Sequence, residues 1–107
     1  SGPVRDVTIR RNLFVECGSP VVAVMPEVDR YEGAVHRNVR VEENRFVIRK
    51  GDAVGARATD GLTIRGNSIS YGGEGDRPAE DFFRWENCSG VSVEGNRCDP
   101  SLPQLQR

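Results

Sequence analysis

Four short stretches of the chain alternate apolar and polar residues, and each then breaks the alternation at an asparagine. They are Val7-Thr8-Ile9-Arg10-Arg11-Asn12-Leu13-Phe14, Val39-Arg40-Val41-Glu42-Glu43-Asn44-Arg45-Phe46, Leu62-Thr63-Ile64-Arg65-Gly66-Asn67-Ser68-Ile69 and Val91-Ser92-Val93-Glu94-Gly95-Asn96-Arg97-Cys98. Apolar residues two apart lie on one face of a strand. Helical spacing fails, because the third and fourth residues after Val39 and Val41 are Glu42, Glu43, Asn44 and Arg45. The asparagines recur at intervals of 32, 23 and 29 residues, the range of a repeat architecture. Each copy predicts a strand, a bend at the asparagine, and a second strand.

Asparagine tolerates a left-handed backbone and its amide can hydrogen-bond locally, which suits a sharp bend. Stacked bends would set Asn12, Asn44, Asn67 and Asn96 above one another at about 4.8 Å, close enough for an amide ladder. The segments Val21–Val24, Ala53–Ala58 and Phe82–Asn87 read as a further strand per turn. Counting back from Leu62 and Val91 aligns Val54 with Phe83, Ala56 with Trp85, and Arg57 with Glu86. The 23-residue interval is close to a bare coil, so the longer ones imply insertions at 26–35 and 71–78, rich in Pro, Gly and Asp. The expected fold is all-β: about four stacked coils of parallel strands over residues 4–100. Residues 1–3 read as an expression remnant or linker, and 101–107 as a C-terminal tail.

This pattern resembles the right-handed parallel β-helix proteins, the fold of pectate lyases, polygalacturonases and many glycoside hydrolases. A narrower resemblance runs from Val4 to Asn67. The stretch Val4-Arg5-Asp6-Val7 leads into the first repeat, a strand ends in Pro26-Glu27, and Val35-His36-Arg37-Asn38 enters the second. These segments are similar to the late coils of glycoside hydrolase family 110, α-galactosidases that release terminal α-1,3-linked galactose with inversion and without a metal. The resemblance implies a carbohydrate partner, no cofactor, and a secreted or periplasmic setting. It places the catalytic acids in earlier coils, and their motif matches no position here, so the catalytic residues stay unassigned. A non-catalytic carbohydrate-binding or structural module is the competing expectation.

The formal net charge of −1 excludes a strongly basic nucleic-acid footprint, and no apolar run is long enough for a membrane-spanning helix. Cys17, Cys88 and Cys98 form no metal-ligand spacing with the single His36, and no metal site is expected. Cys98 fills the apolar slot of Phe14, Phe46 and Ile69, which predicts a small buried side chain. His36 reads as a turn residue. Asp6 and Asn38 share a slot with Gly61 and Gly90, also a turn signal. Glu42, Glu43 and Glu94 read as solvated surface beside arginines. If Val54, Phe83, Ala56 and Trp85 face inward, then Arg57, Arg84 and Glu86 face outward as the candidate ligand-binding cluster. Tyr31 and Tyr71, in the insertions, are candidate sugar-stacking rings. Bare parallel strands at both ends predict end-to-end self-association or packing against further coils.

Overall fold

The structure is a computed structural model, and it describes residues 5–15, 19–24, 36–73 and 75–99. Cys17, Tyr31, the 26–35 insertion with its Pro26-Glu27, residues 1–4 and the tail lie outside the described residues.

Among the described residues eleven strands follow one another as β1 (Arg5–Arg10), β2 (Leu13–Val15), β3 (Val22–Val24), β4 (His36–Glu42), β5 (Arg45–Ile48), β6 (Val54–Arg57), β7 (Thr59–Arg65), β8 (Ser68–Tyr71), β9 (Phe83–Glu86), β10 (Ser89–Glu94) and β11 (Arg97–Cys98). They sort into three sheets with orders β1-β4-β7-β10, β2-β5-β8-β11 and β3-β6-β9. Every described pairing is parallel. Each sheet therefore takes one strand per coil, and the chain is an all-β parallel β-helix. The third sheet has the expected register, Val54 opposite Phe83, Ala56 opposite Trp85 and Arg57 opposite Glu86.

The core is the set of inward slots stacked coil on coil. Val39, Val41, Leu62 and Ile64 come from the first sheet, Phe46 and Ile69 from the second, Val54 and Phe83 from the third. Alternation decides which residues enter it, since only every second residue of a strand can point inward.

The bends hold the main surprise. The residue in the left-handed region is the one before each asparagine: Arg11 (φ 59), Glu43 (φ 56), Gly66 (φ 66) and Gly95 (φ 68). The expectation that asparagine itself takes that conformation is corrected. Asparagine instead supplies side-chain hydrogen bonds. Nδ2 of Asn12 donates to Oδ1 of Asn44 (3.2 Å), that of Asn44 to Asn67 (3.1 Å), and that of Asn67 to Asn96 (2.8 Å). The backbone N–H of each donor residue reaches the same oxygen. Asp6, Asn38, Gly61 and Gly90 form a second column of positive φ, but inside β1, β4, β7 and β10 rather than in a turn before them, which corrects the turn reading of that slot. There Asn38 Nδ2 donates to Asp6 Oδ1 at 2.8 Å.

The Tyr71–Pro78 insertion closes with a 3-10 turn over Ala79–Phe82 that buries Ala79 and Phe82. Arg77 ties it down. Its guanidinium lies 3.9 Å over the Phe82 ring and donates to Gly51 O, Asp52 Oδ1 and Asp81 Oδ2. A cation over a ring and a full set of acceptors make this a clamp between insertion and coil.

Candidate functional site

The outer face of the third sheet carries a groove of about 470 Å³ lined by Pro20, Asp52, Gly55, Ala56, Arg57, Arg84, Trp85 and Glu86. It crosses three coils. Pro20 precedes β3, Asp52 precedes β6, and the other residues belong to β6 and β9. Gly55, opposite Arg84, adds no side chain to the lining. All three residues of the candidate cluster, Arg57, Arg84 and Glu86, line this groove.

Asp52 organises the cluster. Its Oδ2 accepts from Arg84 Nε at 3.1 Å, and its Oδ1 accepts from Arg77 Nη2 at 3.0 Å. Its backbone N–H donates to Ser19 Oγ at 3.1 Å. Asp52 thereby ties the exposed Arg84 side chain to the turn before β6. Charge-assisted bonds of this kind fix geometry more strongly than neutral ones. Sequence reasoning missed Asp52 because it stands in the turn before β6, outside the alternating strand. Its partner Arg77 belongs to an insertion, where no periodicity exists to read.

Trp85 corrects a second expectation. Alternation puts it with Phe83 in the core, yet it is 42% exposed. β9 is the outermost strand of its sheet, so no described strand covers the indole. The ring borders the groove, beside Arg84 and Glu86. Tyr71 is no free stacking platform either. It ends β8 and packs edge-on against Phe82, ring centroids 5.3 Å apart.

Other residues fall as follows. Cys98 is exposed, for the same reason as Trp85: β11 is the last strand of its sheet. Its thiol donates to Arg77 O at 3.3 Å, and partial desolvation pushes the thiol pKa up. That makes it a poor nucleophile. His36 is a buried strand residue opposite Thr59, not a turn residue. Glu42 is buried at 8% exposure and is not solvated surface. Arg40 and Arg65 close over it at 3.4 and 4.0 Å. Glu43 is exposed at the bend, and bonds from Arg11 and Arg10 hold its carboxyl below the usual range. Among the described residues no group of three or more His, Cys, Asp and Glu is placed to hold a metal ion.

The fold and groove define the chain as a parallel β-helix with a polar, aromatic-edged face, and the comparisons with known proteins narrow the class. The chain is 46% identical over 100 residues to alpha-1,3-galactosidase A of Bacteroides thetaiotaomicron, with 91% of this chain and 17% of the relative aligned. It is 38% identical over 74 residues to alpha-1,3-galactosidase A of Akkermansia muciniphila, covering 69% of the chain and 12% of the relative. It is 34% identical over 106 residues to alpha-1,3-galactosidase A of Streptomyces avermitilis, covering 95% and 17%. The chain thus spans less than a fifth of the length of these curated relatives. No protein-family model matches it, and no solved structure gives a significant match. The resemblance to the α-1,3-galactosidases of glycoside hydrolase family 110 therefore holds along nearly the whole chain.

Proposed function

We propose that the chain contributes the β-helix surface of an inverting α-1,3-galactosidase-like glycoside hydrolase, and that alone it binds sugar weakly without cleaving it. The supporting observation is the 46% identity to an alpha-1,3-galactosidase A over 91% of the chain. The coil is read as right-handed, the hand that parallel crossovers almost always take. The linked asparagine amides are read as a stabilising ladder through its bends.

Inverting hydrolysis needs two carboxyl groups roughly 6.5–9.5 Å apart, one giving a proton to the leaving oxygen and one activating water. The groove offers Asp52 and Glu86. Both oxygens of Asp52 are occupied by guanidinium donors, so neither faces a leaving group. What remains suits recognition: Arg57 and Arg84 as donors to sugar oxygens, Glu86 as an acceptor, and the exposed indole of Trp85 as an apolar edge for a pyranose face.

An α-1,3-linked galactosyl disaccharide tests both halves. Galactose release should not exceed a buffer blank. An NMR titration should show binding at about 1 mM, near −4 kcal/mol, that Arg57→Ala removes. Turnover abolished by one carboxylate substitution within the chain would overturn the non-catalytic half. Absence of both binding and turnover would overturn the role of the groove.

A further inference from the structure

We propose that Arg77, which does not itself line the groove, is its positioning residue: it acts on Arg84 through the Asp52 carboxylate and makes sugar recognition depend on the insertion between β8 and β9. The dependence of sugar binding on Arg77 rests on the reading of the groove proposed above, whereas the contacts do not. They lie on the flank of the coils, because Asp52 belongs to the turn before β6, the middle strand of the third sheet.

Arg77 is the anchor. Its side chain is 18% exposed, and its guanidinium is bonded on three sides. Nη1 donates to Gly51 O at 2.7 Å, Nη2 to Asp52 Oδ1 at 3.0 Å and to Asp81 O at 3.1 Å, and Nε to Asp81 Oδ2 at 3.0 Å. The fully buried ring of Phe82 lies against it at 3.9 Å. A planar fork held this way cannot turn without breaking several bonds at once.

Asp52 is the link. Its N–H donates to Ser19 Oγ and its carbonyl accepts from Val21 N–H, each at 3.1 Å. The next residue, Ala53, gives its N–H to Phe82 O at 2.8 Å. With the backbone fastened on both sides, only the side-chain torsions of Asp52 are free, and Arg77 settles them by taking Oδ1. Oδ2 is left to accept from Arg84 Nε at 3.1 Å. Arg84 is the mobile member, its side chain 66% exposed against 23% for Asp52. An exposed ion pair is weak by itself, so where Arg84 rests depends on how firmly its acceptor is held. Among the described residues only Nε of Arg84 is engaged, which leaves its terminal nitrogens as donors to a sugar in the groove.

The test is a mutant cycle read by NMR titration with the α-1,3-linked galactosyl disaccharide, together with the Arg84 Nε–Hε signal of the sugar-free protein. Arg77→Met keeps an unbranched stem over Phe82 and removes every donor. Asp52→Asn leaves Arg77 its bonds to Gly51 and Asp81, so the insertion stays docked. Each should weaken binding about threefold, the scale of an exposed ion pair, and move the Arg84 signal toward that of a fully solvated arginine. In an Arg84→Ala background neither should weaken binding further, a non-additivity that a merely structural Arg77 would not produce. Far-UV circular dichroism checks the fold of each variant. Where Arg77→Met disturbs it, Arg77→Lys takes its place, keeping charge and stem without the planar fork, and should move the signal the same way by less. An Arg84 signal unchanged by the substitutions at 77 and 52 would overturn the proposal whether or not sugar binds. Losses that simply add to that of Arg84→Ala would overturn it too. A wild-type chain that binds no sugar would overturn the recognition half along with the groove's proposed function, while the Arg84 signal would still decide the linkage.

Discussion

The inner and outer coils carry the same sequence phrase under different cover. Phe46 and Phe14 occupy one slot and stack with centroids 5.2 Å apart and planes at 18°. Phe46 has coils on both sides and is fully buried, whereas Phe14 has one described neighbouring coil and is partly open. Asn67 is fully buried while Asn12 is exposed. Ile69 is sealed and Cys98, opposite it, is exposed. The phrase fixes direction, and the neighbours fix worth. In a solenoid the stability of a residue is a property of the interface it completes.

The sharpest way to break that comparison is through the phenylalanines. Phe46→Ala should destabilise the chain by about 3–5 kcal/mol, the loss for a buried aromatic and its cavity. Phe14→Ala should lose only about 1–2 kcal/mol, part of the transfer energy of a half-covered ring. Urea denaturation of both variants checks this, and equal losses would mean the end coil is as enclosed as the inner one. The asparagines come next. Asn67→Ala should lose about 1–3 kcal/mol, since it strands the amide of Asn44 and frees Val41 O. Asn12→Ala, exposed and with no described donor to its Oδ1, should lose less than about 1 kcal/mol by thermal melt.

The smallest effect concerns the exposed bend. The Glu43 carboxyl is held below the usual range by bonds from Arg11 and then Arg10. A carboxyl whose folded value is depressed stabilises the fold above its unfolded value, and loses that contribution as pH falls through the folded one. Melting temperature should therefore decline as pH drops below about 4.3, and Glu43→Gln should flatten that decline slightly. Moderate salt should shrink the difference, because the carboxylate is exposed.

Strand order, register and the inward set were legible because alternation and repeat spacing carry them redundantly. The pairing of Val54 with Phe83 needed only the distance to the next Leu or Val. Exposure at the ends was not legible. Trp85 and Cys98 sit in inward slots, and no local pattern says whether another strand lies above them. Glu42 failed for a related reason: it does point outward, but arginines from its own and the adjacent strand fold over it. Of the groove, Arg57, Arg84 and Glu86 were legible as outward residues of aligned strands. Asp52 and Arg77 were not, because a turn and an insertion meet there by tertiary contact alone.

The uneven spacing of the coils also sets the order in which they can assemble. Strand pairing here always joins residues one coil apart, so no hydrogen bond between coils can form until a chain loop of that length has closed. The shortest closure joins β4 to β7, where His36 meets Thr59 and Asn44 meets Asn67 at a separation of 23 residues. The others span 29 and 32 residues, and closure entropy rises only slowly with length. The central pair has a further advantage, since it joins the two asparagines that end most deeply buried. Folding should therefore nucleate at the middle of the stack and grow outward to both ends. The rate-limiting event would then be the first closure, with each later coil adding to a finished template.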